Sequence, residues 1–155
     1  MDIMTKTLTQ AEFQSKIYIL AGKLQAVLPV PDEKASYELI GVGKRGMIIA
    51  SELQDILSSF WKNPLGLSII IPKPRKNAKT SWVHSCVDCN PKFHTRKLLI
   101  DSMIYTGKTY KELMGLYPTA YFASLYSIKK FPNCYYVEKI DKNSKINFPN
   151  ETEEV

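Results

Sequence analysis

The sequence contains no run of about eighteen consecutive apolar residues, so no segment is suited to span a bilayer as a helix. Its opening, Met1 to Thr9, shows no basic stretch followed by an apolar one, and the expectation is a chain without a secretory signal. Cysteine is scarce and odd in number, at three. That count argues against a disulfide framework and for a reducing compartment, and the chain is expected in the cytoplasm. Internal repeats and low-complexity segments are also missing. The 155 residues suit one domain with a real core.

What is present fits a globular α/β protein: 45% of residues are hydrophobic, and the formal net charge is +6. The positive balance invites anionic partners, polyphosphates or nucleic acid, and charge alone does not choose between them.

Thr9-Gln-Ala-Glu12 has the form of a capping box. Phe13, Ile17, Leu20, Leu24 and Val27 follow at helical spacing until Pro29 and Pro31. Tyr37 to Val42 reads as a buried strand entering a Gly-Lys-Arg-Gly loop, and Met47 to Phe60 returns to helical period. Leu67 to Ile71 is a second strand, which Pro72 is expected to end. Leu98 to Ile100, Ala120 to Tyr126 and Cys134 to Val137 are further strands, with a helix over Thr106 to Leu116. Alternating strands and helices predict a parallel sheet flanked by helices on both faces. Residues 73–95 are rich in Lys, Arg, Pro, Asn and Ser and read as a long, mobile basic loop. The tail 151–155 is acidic.

Candidate chemistry concentrates where strands end. Leu98-Leu-Ile-Asp101-Ser102-Met-Ile-Tyr105-Thr106-Gly107-Lys108-Thr109 takes a buried strand into a carboxylate, a short turn and a helix start. Glycine lets the backbone curl around an anion. Threonine hydroxyls and free amides at the helix N-terminus then donate to it. The alternative is an ordinary strand-turn-helix junction. A nucleotide-binding P-loop is incomplete here, because Ser102 stands where its first glycine belongs.

This loop resembles the signature of the type I phosphoribosyltransferases: a hydrophobic strand, acidic residues, and Thr-Gly-x-Thr. Leu39-Ile-Gly-Val-Gly-Lys44-Arg45-Gly46 is similar to their pyrophosphate loop. Met114 to Phe122, and Asn147-Phe148-Pro149-Asn150, are similar to stretches of the bacterial xanthine-guanine enzymes. The similarity covers residues 9–150. It implies a single α/β domain with a small hood that transfers a phosphoribosyl group from phosphoribosyl pyrophosphate (PRPP) to a purine-like base, releasing pyrophosphate. On that resemblance Thr106, Gly107, Lys108 and Thr109 hold the 5-phosphate, and Lys44, Arg45 and Gly46 meet pyrophosphate. Asp101, with Ser102 and Tyr105, would form the catalytic centre, Asp101 facing the ribose and its magnesium. Lys73, Arg75, Lys76 and Lys79 would close as a basic lid or stay a solvated loop. The resemblance also implies a homodimer or tetramer.

The sequence departs from the family at the base side. Ser102 replaces a second acidic residue, and Tyr105 replaces a carboxylate near the purine ring. Lys145 falls where a stacking aromatic belongs, with Phe148 three residues on. The lysine that reads the purine carbonyl falls at Ile128 or Lys129. These changes keep a second reading open: a PRPP- or nucleotide-binding regulator on the same fold, in contact with nucleic acid or not. A nucleic-acid module using the basic loop with Trp82 and Phe93 is a third, less favoured reading. Separately, His84-Ser-Cys86-Val-Asp-Cys89 and His94 place four potential ligands for structural Zn2+ in one segment, against the alternatives of a redox pair and plain thiols.

Overall fold

Thr9 caps the first long helix as its spacing predicts: its hydroxyl accepts the Glu12 amide at 3.1 Å, and Glu12 accepts the Thr9 amide at 3.0 Å. The structure is a computed structural model describing residues 4–73 and 81–149. Arg75, Lys76 and Lys79 of the expected lid, Asn150 and the acidic tail lie outside the described residues.

In chain order the elements are β1 (Met4–Thr7), α1 (Gln10–Val27), β2 (Tyr37–Val42), α2 (Gly43–Trp61), β3 (Gly66–Lys73) and β4 (Ser81–Asp88). They continue as β5 (Arg96–Ile104), α3 (Lys108–Leu116), β6 (Tyr121–Ser127), β7 (Cys134–Lys139) and β8 (Ser144–Asn147). The main sheet runs β4-β3-β2-β5-β6-β7, parallel except for β4, and β1 pairs with β8 as a separate two-stranded hood.

Every residue of β2 is buried, as a central parallel strand with both faces covered requires. On one face Leu39, Leu98, Ile100 and Leu125 pack under Ile17, Leu20 and Leu24 of α1 and Ile49, Leu53 and Leu57 of α2. On the other, Ile40, Val42, Leu99 and Phe122 meet Tyr110 and Leu113 of α3, with Phe131 and Cys134. Each of these large side chains contributes about 1.5–3 kcal/mol by leaving water. The chain is thus an α/β domain with helices on both faces. No described helix is long and apolar enough to cross a membrane.

Four boundaries differ from the sequence reading. Residues 81–88, read as loop, form β4 antiparallel to β3, pairing Ile71 with Val83 and Pro72 with Trp82. Their polar composition is that of an exposed edge strand, which hid the β-prone residues Trp82, Val83 and Val87. Pro72 does not end β3. It stands beyond the last pair with β2, Val42 with Ile70, where the strand has a partner on one side only. Helix α2 starts at Gly43, so Lys44, Arg45 and Gly46 are its first turn and not a loop before it. Strand β5 runs to Ile104, so Asp101 and Ser102 lie within the strand.

Candidate functional site

Strand order sets the crevice. From β2 the next parallel strand, β3, lies on one side, while β5, β6 and β7 extend on the other. The chain therefore reverses direction between β2 and β5, and loops leaving their carboxyl ends diverge there. Both loops run straight into helices, α2 and α3.

On the β2 side, Gly43 takes φ 70° and starts α2 with no side-chain cap, leaving the first-turn amides for a ligand or water. Two glycines press this turn onto the sheet. A Cβ on Gly46 would stand 2.5 Å from the Ile100 carbonyl oxygen, and one on Gly41 would stand 2.4 Å from the Met47 Cα. Lys44 is exposed, whereas Arg45 lays its guanidinium over the Phe148 ring at 4.7 Å.

On the β5 side, Gly107 takes φ 83° and heads α3, again without a side-chain cap. The Lys108 amide donates to the Thr106 hydroxyl at 3.2 Å. Phe131 backs the turn, since a Cβ on Gly107 would stand 2.7 Å from its ring. The result is a cup of about 150 Å³ lined by Asp101, Met103, Ile104, Tyr105, Thr106, Gly107, Lys108, Thr109 and Tyr110. Amides at a helix start, hydroxyls and a lysine make a cup suited to an anion.

Asp101 stands at the inner end of the cup. Burial pushes its carboxyl up to about 6, while the Ser102 amide, 2.7 Å away, the Arg45 charge and the Ser102 hydroxyl pull it down. Ser102 is itself buried, committed to Asp101. Tyr105 reaches out of the cup and donates its hydroxyl to the Ser144 carbonyl of the hood at 2.9 Å. Lys129 holds its ammonium 5.1 Å from the centre of the Phe131 ring, behind the same turn. Lys145 is exposed on β8 opposite Thr5. Phe148 packs in the core against Phe13 and Tyr126, so Lys129, Lys145 and Phe148 do not converge on one open pocket.

The cysteine–histidine segment forms no metal centre. Among the described residues no group of three or more His, Cys, Asp or Glu side chains is placed to hold a metal. Cys86 and Cys89 are joined as a disulfide, against the expectation of free thiols or zinc ligands. The His84 ring bonds Glu38 through Nε2 at 2.7 Å and the Tyr117 hydroxyl through Nδ1 at 2.8 Å. The His94 Nδ1 accepts the Asn90 amide at 2.8 Å, and its Nε2 lies 3.1 Å from the Pro64 carbonyl. Each ring is occupied by a different partner. Cys134 is buried, as its strand position predicts, and burial pushes its thiol up to about 12.

The sequence reading missed a charged cluster under the sheet. Glu38 is buried and bonded by Lys97, the Ser68 hydroxyl and His84. The only sequence signal is a lone carboxylate within the apolar run Tyr37 to Val42.

No family model matches the sequence, and no curated protein matches it by sequence. Solved structures do match. They give this chain a type I phosphoribosyltransferase fold along most of its length. It is similar to a purine phosphoribosyltransferase from Pyrococcus horikoshii Ot3, with TM-score 0.66 and 26% identity over 94% of this chain and 92% of that one. A hypothetical protein from Neisseria gonorrhoeae with bound ppGpp matches with TM-score 0.63 and 16% identity, over 97% and 91% of the two chains. Hypoxanthine phosphoribosyltransferase from Trypanosoma cruzi, in complex with IMP, matches with TM-score 0.63 and 16% identity over 86% and 78%.

Proposed function

We propose that this chain transfers a phosphoribosyl group from PRPP to a nitrogenous, purine-like base, with release of pyrophosphate. The observation that carries the reading is the pair of uncapped helix starts, at Gly43 and Gly107, that follow the adjacent parallel strands β2 and β5, with Asp101 lining the cup at the second. Two such amide-bearing turns suit a substrate with an anion at each end. In this reading Thr106, Gly107, Lys108 and Thr109 hold the 5-phosphate through amides, hydroxyls and one cation. Lys44 and the α2 amides receive pyrophosphate. Asp101 accepts from the ribose hydroxyls, and the whole crevice positions the sugar for attack.

The cup offers a single carboxylate, Asp101. Asp101 is the cup residue that would help to hold a magnesium ion brought in with the substrate. The ion, when bound, offsets charge on the leaving pyrophosphate. Arg45 supports the site from behind, since its guanidinium is engaged by Phe148 and by Asp101.

A second reading is a PRPP- or nucleotide-binding regulator without turnover. It is favoured by Ser102, which is neutral and buried, and by Phe148, which is closed off from a base. Calorimetry with PRPP, with magnesium and then with EDTA, tests the shared part. Binding that needs magnesium and is lost in Thr106→Ala with Thr109→Ala supports the cup. Pyrophosphate release across a panel of free bases then separates enzyme from regulator. Absence of PRPP binding at millimolar concentration rejects both.

A further inference from the structure

Beside the cup lies a larger groove of about 660 Å³, lined by Met4, Ile128, Lys139, Ile140, Asp141, Lys142, Asn143 and Ser144. Ile128 follows the end of β6, and Lys139 ends β7, so the groove opens at the same carboxyl edge of the sheet as the cup. The two are joined through Tyr105, a cup residue whose hydroxyl is held by the carbonyl of Ser144, a groove residue. A molecule in the groove therefore sits next to whatever the cup holds.

The lining has an unusual chemistry for a ring-binding site. Ile128 and Ile140 supply an apolar floor, and no aromatic side chain is present to stack on a ring. The lining carries two lysines, Lys139 and Lys142, and one carboxylate, Asp141, which leaves it net positive. Among the described residues neither lysine has an ion-pair partner. Two unengaged ammonium groups over an apolar floor match a flat ring bearing an acidic substituent.

We infer that the acceptor side of this site takes an anionic, carboxylate-bearing heterocycle, selected by Lys139 and Lys142, in preference to an uncharged purine. The inference rests on the phosphoribosyl-transfer reading and narrows its acceptor. The ring lies on Ile128 and Ile140 while its acid group meets the ammonium pair. Selection here comes from charge, because stacking has no partner. It is therefore weakened by salt, as interactions of exposed charges are.

The test uses pairs of rings that differ only in the acid: nicotinate against nicotinamide, and orotate against uracil. Each is titrated by calorimetry in the presence of magnesium and saturating ribose 5-phosphate, which fills the cup and cannot react. The acid of at least one pair is expected to bind about tenfold or more tightly than its neutral partner, the effect of one charge-assisted contact. That preference should shrink as salt rises and disappear in Lys139→Ala with Lys142→Ala. Both positions are exposed, so the double variant should keep its melting temperature and its ribose 5-phosphate affinity. Equal binding of acid and neutral rings, no binding of either, or a preference that survives the double variant overturns the inference. The ribose 5-phosphate titration reports separately on the cup. If it fails while the lysine-dependent acid preference persists, the transferase reading falls and the groove stands as an anion site.

Discussion

The guanidinium of Arg45 lies 4.7 Å from the centre of the Phe148 ring, and its charge acts on the carboxyl of Asp101. One side chain thus ties the first turn of α2, the segment after β8 and the end of β5. Replacing Arg45 with Ala should cost about 1–2 kcal/mol of stability through the lost stack. It should also raise the Asp101 titration above its present value of about 6, because a favourable positive charge is gone. Arg45→Lys keeps the charge and loses the planar stack, so it should lower stability while moving the titration less. Urea unfolding and carboxyl NMR titration read the two effects; an unmoved Asp101 in Arg45→Ala would sink the electrostatic half.

Asp101 itself carries a stability cost at neutral pH. Its folded value, about 6, lies above the ordinary 3.8, so the folded chain binds more protons than the unfolded chain between those values. The contribution of this group to stability is full below about pH 4 and is lost as pH rises through about 6. Asp101→Asn should therefore stabilise the protein by about 1–3 kcal/mol at pH 7–8 and change little at pH 4. The same variant should weaken PRPP binding. Paired melts at the two pH values check the sign, and equal effects at both would contradict it.

Glu38 runs the other way. Burial raises its carboxyl, but bonds from Lys97, Ser68 and His84 outweigh burial and hold it below the ordinary 4.5. Its stabilisation is present above the ordinary value and disappears as pH falls through the lowered one. Glu38→Ala leaves Lys97 without its carboxylate and should cost about 3–5 kcal/mol. Glu38→Gln keeps the shape and should cost less. Guanidinium unfolding at pH 7 orders the two variants. A neutral Glu38→Ala would mean that the cluster is too hydrated to matter.

Glycine replacements separate the two helix starts. Gly46→Ala pushes a methyl into the Ile100 carbonyl oxygen, a main-chain atom that cannot swing away, and should cost about 3 kcal/mol or more. Gly107→Ala meets the Phe131 ring and is held at φ 83°. It should cost about 2 kcal/mol and weaken 5-phosphate binding further. Gly22→Ala, with open space around it on α1, should be neutral or stabilising by up to about 1 kcal/mol. Melting temperatures of the three variants should fall in that order.

The parts of the fold that could be read from the sequence were those with a period or a local cap. Phe13 to Val27 and Thr9 announce α1, and the unbroken apolar run of β2 announces a central strand. The junction at Thr106–Thr109 could be read as a turn into a helix because Gly107 breaks the pattern there, and it takes φ 83° at the head of α3. The hood was implied by resemblance alone, and its strands could not be placed because β1 and β8 have four residues each and no alternation to see. Strand β4 escaped because its exposed residues carry polar side chains. The Glu38 cluster draws on β2, β3, β4 and β5, and Tyr117 extends it through His84, so tertiary folding alone assembles it. Phe148 stands three residues beyond the position where a stacking aromatic belongs, and only the packing of Phe13, Tyr126 and Arg45 around it shows how far its ring is buried.

Gly41 and Gly46 bring main chain against main chain: the start of α2 rests on β2 and on the Ile100 carbonyl of β5 with no side chain between. Under the proposed function, the position of the first anion-facing turn is consequently set by main chain and not by side chains. Changing Lys44 or Thr106 should then alter how hard each end grips without moving the main chain that sets the turn. On that function, diphosphorylated sugars one bond longer or shorter than the matching ligand should be rejected by reach, whatever their charge.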